Sequence, residues 1–268
     1  MAWKETVEFY LVRHAQSQAN VDKSLYTTVP DQQIELTELG WQQAKATGAF
    51  LAGHFTEKGE KRPIIMRTSG HMRARQTTQC IYNALTTAGF MVHVRESDML
   101  TEQSLGQVAG RPHEEWSKEH PAYAELFKMA REKGALHFLV PPGGEARLAT
   151  ELRVRADLSS VHRYRASHGN GPVILVNHGE TNRQIAKVLL GQRHEESDAE
   201  PPFGNAEVRL IARPPGPGLL FGLLGRSPYP LFDFGYIWKN GAAHAPVQKP
   251  RTRTTDLFKG NTYGRKPE

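Results

Sequence analysis

One cysteine is all that the 268 residues contain. Cys80 therefore has no intramolecular partner, no Cys-x-x-Cys zinc or redox pair can form, and a reducing compartment is the simplest setting. Long apolar runs are missing as well. The longest, residues 173–176 and 219–224, fall far short of the ~20 residues a membrane helix needs. The opening stretch, MAWKETVEFYLVRH, alternates charged and apolar residues and leaves no room for a signal-peptide core. A cytoplasmic protein without a membrane anchor is the expectation. Hydrophobic residues at 38%, charged residues at 23% and a mean hydropathy of -0.54 exclude a disordered, collagen-like or coiled-coil chain. A mass of 30.0 kDa suits one large α/β domain, alone or with an appendage.

Net charge is equally missing where a catalytic domain would lie. From Arg213 onward there are nine Lys/Arg against three acids, which accounts for the whole net charge of +6 and leaves 25 of each sign in residues 1–212. The tail opens with RPPGPG and ends in QKPRTRTTDLFKGNTYGRKPE, which has neither a helical nor a strand period. Between these, Tyr229 to Trp238 alternate large apolar residues, as an edge strand or a docked arm would. The division expected is a domain over 1–212 and a basic Pro/Gly-rich extension over 213–268. A solvated tail with one docked segment is the favoured reading. Contact with nucleic acid or another polyanion has charge behind it but no recognisable binding motif.

Within 1–212, strands and helices alternate. VEFYLV at 7–12, residues 63–68, 91–94, 172–176 and 207–212 read as strands. Helices are expected from a Thr37 N-cap to about Phe55, then over 72–87, 145–168 and 181–190, and a charged, aromatic segment at 111–137 reads as a lid insertion. This alternation predicts an α/β fold, a three-layer α/β/α sandwich around a mainly parallel sheet. Ligands of such sheets bind beyond the carboxyl ends of the strands. Two of those ends carry imidazoles: Arg13-His14 follows the first strand and His178 follows the strand at 172–176. A histidine at one strand end is ordinarily structural, but two of them beside arginines at matching positions point to an anion site.

The motifs around these residues extend along the domain. Arg13-His14 is followed by Ser17 and Asn20, and LTELGWQQA runs from Leu36 to Ala44. Ser69, Arg73-Ala74 and Thr77 form the next set, then Leu100, Glu102, Gly106 and Gly110, then Pro142 to Glu145. His178-Gly179, Thr181, Arg183 and finally Asn205-Ala206 complete the series. In this order the sequence resembles the histidine phosphatase superfamily, which includes cofactor-dependent phosphoglycerate mutases and many small-molecule phosphatases. The resemblance covers about residues 6–212. Ala15-Gln16 stand where Gly-Glu is commoner, and Asn177 where Ser is, and neither exchange removes a charged or nucleophilic group.

Arg13 and Arg73 offer fixed guanidinium forks for phosphate oxygens, with Ser17, Asn20, His178 and the backbone at Gly179 as further contacts. The resemblance implies His14 as the nucleophile that becomes phosphohistidine, with His178 beside it, and Glu102 as general acid and then base. No metal is expected, because arginines at the rim would repel a cation, and no cofactor. The remaining histidines read as surface or packing residues. His71, within reach of a substrate in the Ser69–Arg73 loop, is not counted in the site. Trp116, Tyr123, Phe127 and Met129 read as packing residues in the lid segment. The expectation is a metal-independent phosphatase of small phosphorylated metabolites. A phosphoglycerate mutase is the first alternative, disfavoured because Gln103-Ser104-Leu105 replaces that branch's Arg-rich aromatic run. A non-catalytic phospho-ligand module is the second, disfavoured by the retained histidines, arginines and Glu102.

Overall fold

The computed structural model describes residues 7–213 and the backbone of 234–239 and 242–243. Its centre is a sheet in the order β3 (Val92–Glu96), β2 (Ile64–Thr68), β4 (Val173–Asn177), β1 (Val7–Arg13), β5 (Val208–Arg213), extended by β6 (Phe234–Lys239) and β7 (Ala242–Ala243). The first four strands of that order are parallel, while β5, β6 and β7 run antiparallel to their neighbours. The docked segment expected at 229–238 is thus strand β6 from Phe234 onward, and residues 229–233 lie outside the described residues.

Unbroken apolar strands follow from burial on both faces. Successive side chains of a strand point to opposite sides, and in β1 Phe9 and Leu11 join one core cluster while Tyr10 and Val12 join the other. The same division holds in β4, with Val173 and Leu175 on one side and Ile174 and Val176 on the other. The first cluster is closed by α7 (Arg147–Ser167) and α8 (Gly179–Leu190), through Val154, Leu158, Val161, Ile185 and Leu189. The second is closed by α3 (Glu38–Glu57) and α4 (Met72–Thr87), through Leu51, Phe55, Ile81 and Leu85. Helix α3 starts where the sequence places it, with Thr37 Oγ1 accepting from Gly40 N at 3.0 Å.

Short helices decorate the rim: α1 (Gln18–Val21), α2 (Leu25–Thr28), α5 (His113–Glu119), α6 (Pro121–Glu132) and α9 (His194–Asp198), with a 3₁₀ turn at Asp31–Gln33. Helices α5 and α6 occupy the segment expected as a lid. There Trp116 is buried against His113, Tyr123 and Phe127, whereas Met129 is exposed rather than packed. His137 is also no surface residue. It is buried with its Nε2 3.1 Å from Glu151, which in turn pairs with the buried Lys187. Among the described residues no helix is long and apolar enough to cross a membrane.

Sheet register brings distant residues level. Arg13 pairs with Asn177 and Thr68 with Val176, so the chain leaves β1, β2 and β4 side by side. Two bonds continue this alignment past the strands, His14 N to Asn177 O at 2.8 Å and Ser69 N to Val176 O at 3.1 Å.

Candidate active site

His14 and His178 meet edge to face, with ring centroids 5.2 Å apart. His14 Nδ1 lies 2.7 Å from the carbonyl oxygen of Ala15. A carbonyl can only accept, so Nδ1 carries the hydrogen, and in the neutral ring Nε2 holds the lone pair. Burial, then the charges of Arg73 and Arg13, keep the His14 imidazole well below its ordinary pKa. Burial followed by the charges of Arg73 and the neighbouring histidines does the same for His178.

The backbone that presents His14 is tied on several sides. Ala15 N donates to Thr77 Oγ1 at 3.1 Å, and Ala206 N donates to His14 O at 3.2 Å. Gly40 allows the loop after β1 to lie on α3, since a Cβ there would stand 2.0 Å from Gln16 O. Ser17 N donates to Asn20 Oδ1 at 3.0 Å, and Asn205 Nδ2 donates to the same oxygen at 2.7 Å. Both donors engage the amide oxygen, so the Asn20 amide nitrogen keeps its hydrogens for another acceptor.

Both arginines are buried or nearly so and held through one end of the guanidinium. Arg13 NH1 donates to Phe203 O at 2.6 Å, and Arg73 NH1 donates to Asp31 O at 2.7 Å while ion-pairing with Asp31 Oδ1 at 2.8 Å. Their Nε groups, together with His178 Nδ1 and Ser17 Oγ, are buried polar atoms without a hydrogen-bond partner among the described residues. Native interiors rarely leave such groups unpaired. Four of them at one rim, two on guanidinium ions, mark an anion site.

Glu102 faces the same rim from across the start of α8. Its Oε1 accepts from Gln103 N and Thr181 N, each at 3.0 Å, with the Thr181 hydroxyl 3.1 Å away donating to Thr101 O at 2.8 Å, whereas among the described residues Oε2 accepts only from Glu180 N, at 3.2 Å. A Cβ on Gly179 would stand 3.7 Å from Arg13 Nε and 3.8 Å from Glu102 Oε2. Gly179 therefore lies between the cation and the freer carboxylate oxygen.

All eight residues expected at the site stand along this rim: Arg13, His14, Ser17, Asn20, Arg73, Glu102, His178 and Gly179. Three more belong with them. Ser69 Oγ is 2.8 Å from His178 Nε2, His71 Nδ1 is 3.1 Å from Ser69 Oγ, and Asp31 Oδ2 is 3.0 Å from His71 Nε2. Burial would raise the Asp31 carboxyl, but the hydrogen bond from His71 and the charge of Arg73 outweigh it and hold it at about 2. The sequence signal for His71 was its place two residues before Arg73. Nothing in the sequence tied Asp31 to it.

An anion site with paired histidines and arginines at the strand ends of an α/β sheet defines a class. The chain belongs to the histidine phosphatase superfamily (branch 1), whose family model matches residues 9–218. It is 31% identical over 183 residues to a 2,3-bisphosphoglycerate-dependent phosphoglycerate mutase of Sinorhizobium fredii, covering 67% of this chain and 77% of that one. It is 29% identical over 213 residues to the phosphoglycerate mutase-like protein AT74 of Arabidopsis thaliana, covering 75% of this chain and 63% of the relative's length. The fold matches a mycobacterial glucosyl-3-phosphoglycerate phosphatase with a TM-score of 0.61 and 24% identity, over 77% of this chain and 90% of that one.

Proposed function

We propose that the protein is a metal-independent phosphatase of small phosphomonoesters that works through a phosphohistidine on His14. The observation that carries this is the tautomer of His14: the Ala15 carbonyl fixes hydrogen on Nδ1 and leaves a neutral Nε2 lone pair beside two arginines. Nε2 attacks phosphorus, the bond to the leaving oxygen breaks, and Glu102 Oε2 delivers a proton to that oxygen. Water then attacks phosphorus, the P–N bond breaks, and Glu102 takes the proton back. Arg13, Arg73, Asn20, Ser17, His178 and the backbone at Gly179 hold the phosphoryl oxygens, where charge stabilisation lowers the barrier most. Glu102 suits its part because Oε1 is saturated with donors and Oε2 is not.

Phosphoryl transfer between phosphoglycerates is a second reading, favoured by the identity to the Sinorhizobium mutase. One experiment separates the two. Purified protein is given a panel of phosphorylated metabolites with a chelator present, and both free phosphate and phosphoglycerate isomerisation are followed. Phosphate release that His14→Ala abolishes without unfolding the protein is expected. Efficient isomerisation with negligible release would establish the mutase instead, and binding without either reaction would leave a phospho-ligand module.

A further inference from the structure

The string Asp31–His71–Ser69–His178 runs from the rim into the site, and its inner three members are buried. We propose that His71, steered by Asp31, decides through Ser69 which nitrogen of His178 carries the proton, and so acts as a positioning residue for phosphate binding. The inference rests on the phosphoryl-transfer reading above.

Hydrogen-bond capacities leave two patterns. An ionised Asp31 can only accept, so His71 Nε2 carries hydrogen in both. When His71 is neutral, its Nδ1 is a lone pair. The Ser69 hydroxyl then donates to His71 and accepts from His178 Nε2–H. His178 Nδ1, the buried nitrogen with no partner, is then a lone pair too, and it repels a phosphate oxygen. When His71 is protonated, Nδ1–H donates to Ser69 Oγ, whose hydrogen turns to His178 Nε2. The neutral His178 ring then holds its proton on Nδ1, where it donates to phosphate. Ser69 Oγ also accepts from His71 N at 3.3 Å, and its single donor and two lone pairs are satisfied in either pattern. His178 keeps one proton throughout, and what changes is its position.

Charged and titratable groups reach the His71 segment from several elements, among them Glu96 of β3 and Asp98 of the turn after it, whose carboxylates lie against the neighbouring Gly70. Asp31 comes from the 3₁₀ turn, and His178 stands edge-on from the start of α8 with centroids 4.7 Å apart. Arg73 of α4, paired with the same Asp31, opposes a second positive charge. Asp31 offsets that opposition by lying between the cations, Oδ2 at 3.0 Å from His71 and Oδ1 at 2.8 Å from Arg73. An arriving phosphate, itself anionic, favours the protonated pattern.

Imidazole ¹⁵N spectra of the full-length protein with orthophosphate test this directly. In the wild type, His178 Nδ1 is expected to pass from protonated to lone pair as the pH is raised. In His71→Leu, Ser69 has only His178 to donate to, so Nδ1 stays protonated throughout. Correspondingly, the part of the alkaline limb of kcat/KM for para-nitrophenyl phosphate that accompanies the tautomer switch is lost in His71→Leu. In Asp31→Asn the limb moves to lower pH, because the carboxylate no longer favours the cation. A merely structural role would change the height of the profile and leave its limb in place. A His178 ring that keeps one tautomer in the wild type, or the same switch in His71→Leu, overturns the proposal. Should His71→Leu fail to fold, a wild-type limb in Asp31→Asn overturns it. A tautomer switch without hydrolysis of any phosphomonoester supports the relay while refuting the phosphatase reading.

Discussion

Below about pH 6.5, where a histidine in an unfolded chain titrates, the protein is expected to lose stability at a rate set by its buried neutral imidazoles. His14 and His178 are 4% and 0% exposed, and burial first, then neighbouring positive charge, keep both well below the ordinary value. The sign follows from proton counting. Between the unfolded pKa and the depressed folded one, the unfolded chain binds more protons than the native state, so stability rises with pH and acid favours unfolding. Each ring contributes up to about 1.4 kcal/mol per pH unit in that window, and the pair up to about twice that. That is a large part of the 5–15 kcal/mol typical of a domain, roughly speaking. Asp31, held at about 2, contributes stability that is lost only below about pH 3.9, outside the window. The assay is urea unfolding at several pH values for the wild type and His14→Asn. The lowered pKa values of His54 and His162 are common to both proteins and cancel in the comparison. The wild-type slope should be steeper by up to about 1.4 kcal/mol per pH unit. Parallel slopes would mean that the native state accommodates a protonated His14, and the neutral-nucleophile argument would fall with it.

Three further outcomes follow from packing and charge. Gly40→Ala puts a Cβ 2.0 Å from Gln16 O, the carbonyl that also accepts from Thr37 N. Overpacking of about 1–3 kcal/mol exceeds the ~1 kcal/mol of helix propensity gained, so thermal unfolding should move down by a few degrees and orthophosphate protection should weaken with the loop. Leu175→Ala, in the first core cluster of central strand β4, should cost about 2–5 kcal/mol in urea unfolding. Lys187→Met removes the ammonium 2.5 Å from Glu151 in a buried cluster that retains His137 and Arg155. A loss of about 3 kcal/mol is expected from the stranded charge; a variant as stable as the wild type would show that the remaining partners suffice.

Much of the fold was legible because the information was local or periodic. Strands β1 and β4 carry unbroken apolar runs at residues 9–12 and 173–176, and that is what a strand covered on both faces requires. Thr37 announced the start of α3 through its cap, and the spacing after it held to within two residues of the end observed at Glu57. The expected site residues were picked out by the ordered motifs of the resemblance, and parallel register carries those that follow β1 and β4, His14 and His178, to one edge, whereas Glu102 lies beyond the 3₁₀ turn at Asp98–Leu100 and had only its place in the motif series. The Asp31–His71 pair was not legible, since 40 residues separate the two and no period or motif relates them. Loop residues are placed by tertiary packing, here by α4 presenting Arg73 to the same carboxylate. Similarly, His137 read as an ordinary histidine because its partners Glu151 and Lys187 come from other helices. What local sequence specified was therefore the framework that carries the candidate site. The groups that set protonation within it arise from pairings between segments, and single substitutions there should shift the pH dependence of the site more than its geometry.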